Sequence, residues 1–236
     1  MRIVINHLTR MQRGFLCVAG IDMESGNHIR PVVPWAQLPV KLLARHGGPF
    51  DMAMEVDIGE TVASPQAPET EDHVFDPIVA EVVRVLDPKE LWDAVARLAR
   101  PRLSEIFGND LTKHRQTCIV ELGKGRSSLG CLVPRSRTTL FLRERPEKLA
   151  EIRMKVQDGE FDLTLPVTDI RLFGKDHVTP DTEAVQRTAA YLADGGEAIL
   201  SVGLTRPFAS SPESPAVHWL QVNNIHRADN PAWQLG

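Results

Sequence analysis

The hydrophobic pattern of the first ninety residues predicts short strands separated by polar turns. Apolar runs at residues 3–5 and 15–21 have strand length, and residues 28–33 return after the turn-forming segment DMESGN. Residues 52–58 alternate as a half-buried strand does, and residues 78–86 are rich in β-branched side chains. We therefore expect a hairpin and two further strands.

Two segments carry the signals of helices. Asp87 suits an N-cap, Pro88 the first helical position and Glu90 a capping box, and apolar residues of 91–99 share one face. A second helix is expected over residues 182–193, before Gly195-Gly196. Residues 63–77 are polar, rich in proline and without periodicity, which predicts a surface loop.

The second half of the chain again reads as short strands. Asp158-Gly159 predicts a tight hairpin between two of them. The expected strands cover residues 117–122, 131–133, 139–143, 150–156, 161–167, 199–204 and 218–225.

Each half thus has about five short strands and one helix, a pattern that suits a small closed barrel without exposed sheet edges. The predicted fold is mostly β, with a minor α+β character: two small OB-like five-stranded barrels, each with one interrupting helix. We expect them to occupy residues 1–110 and 111–236, with the boundary between Phe107 and Arg115. A single larger sandwich is the alternative.

Composition adds limits to this picture. The chain has 236 residues, 42% of them hydrophobic and 25% charged. A chain of this length can bury enough apolar surface for a stable core without disulfide bonds or structural metals. Cys17, Cys118 and Cys131 lie far apart, so we expect buried thiols in a reducing cytoplasm. No stretch approaches the roughly 20 apolar residues of a membrane-spanning helix, and no secretory signal is evident, so we expect a cytoplasmic protein with no membrane partner.

The charge is unevenly distributed although the net charge is only −4. Residues 51–90 contain eleven acidic and two basic side chains, a net charge of −9. Residues 100–155 contain thirteen basic and six acidic side chains, a net charge of +7. One basic face can bind a polyanion while the whole protein stays negative.

Motifs of catalysis are absent from the sequence. It contains neither of the common glycine-rich phosphate-binding motifs, no GxSxG motif and no HExxH motif. The eight histidines form neither an HxH nor an HExxH pattern, so we expect no metal, no cofactor and no catalytic residues. Whether the protein is an enzyme stays open, with a negative answer favoured.

Arginine residues form the main candidate site. Residues 135, 137, 143 and 145 share odd spacing, so an extended segment would project all four to one side, where their planar head groups suit phosphate. Arg30 and Arg206 each precede a proline at a strand end, and both are expected at one cleft between the barrels. The nucleic-acid-binding candidates are Arg30, Trp35 as a base-stacking platform, Lys113, His114, Arg115, Arg126, Arg135, Arg137, Arg143, Arg145 and Arg206.

Three stretches together resemble a known family. They are CVAGIDMESGNHIRPV from Cys17, LPVTDIRL from Leu165, and ILSVGLTRPF from Ile199, the last followed by HWLQVNNI. They are similar to motifs of the prokaryotic dual OB-containing domain family, with Arg206 where that family carries an acid. The resemblance implies two OB-type barrels that act on nucleic acid in defence or mobile-element settings.

Three hypotheses of function follow. The first is a nucleic-acid-binding protein that contacts the backbone through a basic face of the second barrel. The alternative is an enzyme or a sensor of small molecules or nucleotides, with a site between the barrels that uses His7, Arg10, Arg30 and Arg206. The third is a scaffold that binds a protein partner through the acidic first half.

Overall fold

The computed structural model describes residues 1–235, and their fold is mostly β, as predicted. The first sheet contains eight strands in the order β6-β7-β3-β2-β1-β5-β8, with β4 paired to β2. These strands are β1 Arg2–Arg10, β2 Phe15–Asp22, β3 His28–Val32, β4 Leu38–Pro39, β5 Met54–Asp57, β6 Val62–Ala63, β7 Asp72–Val74 and β8 Glu81–Val85. The predicted hairpin is confirmed, because β2 and β3 pair on either side of the DMESGN turn.

The rest of the chain forms a second sheet in the order β10-β11-β17-β16-β12-β9 and a third sheet in the order β13-β14-β15. The hairpin at Asp158-Gly159 is confirmed, since Gln157 pairs with Asp162 and Gly159 takes a φ of +93°. The strands are β9 Ala99–Arg100, β10 Thr112–His114, β11 Thr117–Glu121, β12 Leu129–Leu132, β13 Thr139–Arg145, β14 Lys148–Gln157, β15 Asp162–Pro166, β16 Ala198–Leu204 and β17 Val217–Arg227.

Three α-helices connect the strands: α1 Pro88–Leu98, α2 Leu103–Phe107 and α3 Thr182–Ala193. The capping box predicted at α1 is present. The Asp87 carboxylate accepts a hydrogen bond from the Glu90 amide, and the Glu90 carboxylate accepts one from the Asp87 amide. Short 3₁₀ turns occupy Gln12–Gly14, Val40–Leu42, Ala44–His46 and Ile170–Leu172.

Removing the N-cap of α1 is expected to lower the stability of the protein modestly. Asp87→Ala leaves the Glu90 amide without its acceptor, which lowers the free energy of unfolding by about 1 kcal/mol. Urea unfolding followed by circular dichroism measures this. Asp93→Ala is the control, because Asp93 bonds only the exposed Lys89 on the same helix and should cost no more than about 0.5 kcal/mol. Equal losses in the two variants would contradict the role of the cap.

The prediction of a loop over residues 63–77 is wrong in its centre. Asp72–Val74 forms β7, which pairs in parallel with β3 and in antiparallel with β6. A three-residue strand has too little periodicity to be recognised, and its partner Arg30 lies far away in the chain.

Two hydrophobic clusters form the core, one under the first sheet and one between the second and third sheets. A polar seam joins them where β1 meets β17. The side-chain amide of Asn224 donates to the backbone carbonyl of Leu8 at 3.0 Å and accepts from the backbone N–H of Leu8 at 2.7 Å. Asp169 and Arg171 add a fully buried ion pair at 2.7 Å, and the Asp169 carboxylate also accepts from the Ile225 amide. The motif stretch 165–172 and the strand that contains HWLQVNNI therefore meet at this seam.

The finer architecture stays a prediction, both for two five-stranded barrels and for the division at residue 110. Ala99–Arg100 and helix α2, which precede that boundary, already pack against the second sheet. Among the described residues, no helix is long and apolar enough to cross a membrane.

Candidate functional site

The outer side of the third sheet carries a group of basic residues. In its register Phe141 pairs with Arg153, and Thr139 pairs with Lys155. Leu140 and Met154, which alternate with these residues, point into the core. We call the set Arg137, Arg143, Arg153 and Lys155 the basic face.

Positive charges crowd one another on this face. The pKa of Arg153 is lowered by burial first and then by the neighbouring guanidinium groups of Arg143 and Arg145, against the opposing effect of Glu151. Its Nε is buried without a hydrogen-bond partner among the described residues. Glu151 also bonds Arg145, which partly neutralises that end of the sheet.

The prediction that residues 135–145 form one extended, one-sided row is wrong. Arg135 and Arg137 lie in an irregular segment before β13, so strand alternation does not set the direction of their side chains. Within β13, Arg143 and Arg145 stay on one side. Arg143 pairs with Glu151, Arg145 bonds the same Glu151, and the extra residue of the register shift between them lies on β14. Arg135, Arg137 and Arg143 are nevertheless exposed, as predicted for a binding surface.

A cleft of about 520 Å³ opens on the same outer surface. Its lining is almost wholly polar and consists of Gln116, Ser136, Arg137, Thr139, Lys155, Gln157, Asp162 and Thr164. The turn at Arg115-Gln116 borders this cleft, and it follows the exposed strand that carries Lys113 and His114. The structure thus brings the predicted Lys113-His114-Arg115 cluster near Arg137.

Aromatic side chains continue from this cluster along the second sheet. The His114 ring meets Trp219 edge to face with centroids 5.5 Å apart, and Phe208 lies 5.7 Å from Trp219 on a tilted plane. Trp219 is only half buried, and Phe208 is 49% exposed. Trp35 is fully exposed on a separate loop with φ +60°, and its role as a stacking platform stays a prediction.

Arg30 and Arg206 converge on one carboxylate, although neither lines a cleft as expected. Arg30 donates to Asp72 at 2.5 Å, and Arg206 donates to the other oxygen of Asp72 at 2.7 Å. Arg206 also pairs with Glu69 at 3.0 Å. Arg30 is only 4% exposed, so its head group is engaged inside the protein and we leave it out of the proposed interface.

A second cleft, of about 470 Å³, lies between the first and second sheets. His28, Glu71, Arg100 and Arg126 are among its lining residues. Arg126 donates to the main-chain carbonyls of Glu105 and Ile106, so its guanidinium is largely occupied. Of the four residues expected in a pocket between the halves, His7, Arg10, Arg30 and Arg206, none lines either cleft.

Three residues that could ligate a metal do meet beside this second cleft. A ring nitrogen of His7, a ring nitrogen of His28 and the sulfur of Cys131 lie within 4.8 Å of one another. Spacing along the chain does not reveal this group, because β1, β3 and β12 are distant in sequence and only their packing brings the three residues together. The expected absence of a metal therefore rests on spacing alone.

The acidic segment of residues 51–90 contains an exposed edge strand with apolar side chains, β8. All five residues of β8 are exposed, and Val82, Val83 and Val85 are among them. β8 is the last strand on its side of the first sheet. The expectation of a protein partner on this half stays a prediction.

Comparison with known proteins agrees with the resemblance read from the motifs. A family model described as a dual OB-containing domain matches residues 1–225. No curated protein matches the chain.

Proposed function

This chain belongs to the dual OB-containing domain family, and from that premise we propose that it binds nucleic acid through the basic face, mainly by contacts to the phosphate backbone. OB-folds commonly present a sheet surface and its loops to oligonucleotides. The defence or mobile-element setting implied by the family resemblance belongs to the same proposal.

The grouping of Arg137, Arg143, Arg153 and Lys155 on one surface is the observation that carries this proposal. Burial lowers the pKa of Arg153 most, and repulsion from Arg143 and Arg145 lowers it further, whereas Glu151 opposes the shift. A polyanion laid across the face would relieve that repulsion and release its own condensed counterions. Most protein–DNA hydrogen bonds reach phosphate and sugar, and the hydroxyl and amide lining of the adjoining cleft suits them.

The aromatic row beside the cluster gives the proposed surface a way to hold bases. Trp219 lies between His114 and Phe208, and all three rings are at least partly accessible. Stacking on aromatic rings tolerates any base, because every base has a π-face. We therefore favour single strands with little sequence preference.

A titration of fluorescently labelled single-stranded DNA, single-stranded RNA and duplex DNA tests this function by anisotropy. We expect single strands to bind at low salt, and the logarithm of affinity to fall with the logarithm of salt concentration with a slope of about −3, from four cations at roughly −0.7 each. No binding of any of the three at low salt would refute the proposal.

A second candidate function is the sensing of a small anionic molecule or nucleotide in the cleft between the first and second sheets. The observation in its favour is the size of that cleft, about 470 Å³, together with Arg100 and His28 in its lining. If nucleic acid does not bind while a nucleotide raises the melting temperature, this candidate replaces the first.

A further inference from the structure

We propose that His7, His28 and Cys131 form a binding site for a divalent transition metal, zinc in the first instance, which joins the first sheet to the second. The sulfur of Cys131 lies 3.9 Å from Nε2 of His28, and all three ligand atoms fall within 4.8 Å. Ligands of a tetrahedral zinc, with bonds of about 2.0–2.3 Å, stand roughly 3.3–3.8 Å apart. A contraction of about 1.5 Å or less would bring the three ligand atoms to these separations. This inference is independent of the proposed function.

The sequence places these ligands by way of a bulge. The register between β1 and β2 shifts between Ile5 and His7, which leaves Asn6 as the extra residue. In a regular strand Asn6 and His7 would point to opposite faces, but here both side chains are buried at the contact between the sheets. His28 begins β3 on the other side of β2, and its ring meets that of His7 at 4.9 Å.

Polar atoms without partners surround the three ligands. Among the described residues, Nε2 of His7 and Oδ1 of Asn6 are buried and make no hydrogen bond. Unpaired polar atoms in a protein interior are costly and rare, so two on adjacent residues at this cluster point to a missing ligand.

Three hydrogen-bond acceptors of this cluster surround the side-chain NH₂ group of Asn6, which carries partial positive charge. The Asn6 amide nitrogen faces Nε2 of His28 at 3.1 Å, Oγ of Ser201 at 3.5 Å and Sγ of Cys131 at 3.6 Å. An amide has only two hydrogens for these three acceptors. A cation among them would satisfy lone pairs that the amide leaves weakly bonded.

A transition metal binds the thiolate of a cysteine and the neutral ring of a histidine. Binding to Cys131 therefore exchanges the thiol proton for the metal, and one proton is released to solvent.

His7 needs its Nε2 lone pair free for the same step. Its Nδ1 lies 3.0 Å from the amide nitrogen of Asn223. In the metal-bound state Nδ1 must carry the proton, and a half-turn of the Asn223 amide would place its oxygen there as acceptor. A metal ion would reach the site through the cleft between the sheets, because His28 is half buried and lines that cleft. The fourth position is left for a water molecule or for Oδ1 of Asn6.

Cobalt(II) is the probe that reports thiolate ligation directly. The full chain, purified with any polyhistidine tag removed and stripped with a chelator, is titrated with Co²⁺ and then with Zn²⁺. We expect one Co²⁺ per chain with a thiolate-to-cobalt charge-transfer band, loss of the band as Zn²⁺ replaces it, and release of one proton. A parent protein that shows no such band in an excess of Co²⁺ overturns the proposal and leaves a buried water or a plain hydrogen-bond network.

Matched variants locate the site. Cys131→Ser should abolish the band, whereas Cys118→Ser should keep it, because Cys118 is also buried with a pKa raised by burial to about 12 but lies outside the cluster. His28→Gln is a second variant at a half-buried position, and it should weaken Co²⁺ binding at least tenfold while circular dichroism stays that of the parent. An unchanged band in folded Cys131→Ser, or unchanged affinity in His28→Gln, overturns the assignment.

Discussion

Asp169→Ala is expected to lower the free energy of unfolding by about 3–5 kcal/mol, because it leaves the Arg171 guanidinium charged and without its carboxylate in the protein interior. Both side chains are fully buried. The same carboxylate also accepts the Ile225 amide hydrogen at 3.0 Å, so the loss reaches strand β17. Urea unfolding monitored by tryptophan fluorescence and by circular dichroism gives the free energy.

The control for this prediction is an ion pair of the same type at the surface. Glu183 and Arg187 are 84% and 64% exposed and lie one helical turn apart on α3. Glu183→Ala should therefore change the free energy of unfolding by no more than about 0.5 kcal/mol. If Asp169→Ala proves as mild as Glu183→Ala, the buried pair does not stabilise the seam as argued.

The second large effect concerns nucleic acid. Replacing Arg137, Arg143, Arg153 and Lys155 together with glutamine should weaken single-strand binding by about 10²–10³-fold at 0.1 M salt and flatten the salt slope by about 3, since each lost contact removes roughly 0.7 from the slope. Anisotropy titrations at several salt concentrations measure both quantities. The stability should change little, because three of the four side chains are exposed or line an open cleft.

A control variant with the same change in net charge distinguishes loss of contacts at the basic face from a general loss of electrostatic attraction. Glutamine at Arg2, Arg84, Lys89 and Arg97 removes four exposed cations that lie on the first sheet, the strand β8 and helix α1. This variant should keep the parent's salt slope. Arg153 is half buried, so a version of the test variant that retains it guards against a folding defect. Equal losses in the test and control variants would show that net charge alone attracts nucleic acid.

The two sites differ in how far the chain alone reveals them. Lys113, Arg137 and Arg143 were found from local charge, and the structure leaves them exposed. Arg153 and Lys155 were not singled out, because their place beside Phe141 and Thr139 depends on the register of β13 against β14. That register follows from which residues face the core, and a single bulge changes it.

The sequence by itself determined what depends on neighbouring residues. The capping box at Asp87, the hairpin at Asp158-Gly159 and the helix after Asp181 are stabilised by hydrogen bonds that span a few residues, so their residue types suffice to predict them. The motifs near both ends likewise sufficed for the family, since they are contiguous.

Only the tertiary structure decided which distant residues meet. Arg30 and Arg206 share Asp72, and His28 lies 3.9 Å from Cys131, through contacts between strands whose order in the sheets differs from their order in the chain. Such contacts form when whole apolar faces are buried together, and many pairings of short strands bury similar area. The seam chemistry that follows from the pairing is therefore a property of the folded protein and is not visible in any segment of its sequence.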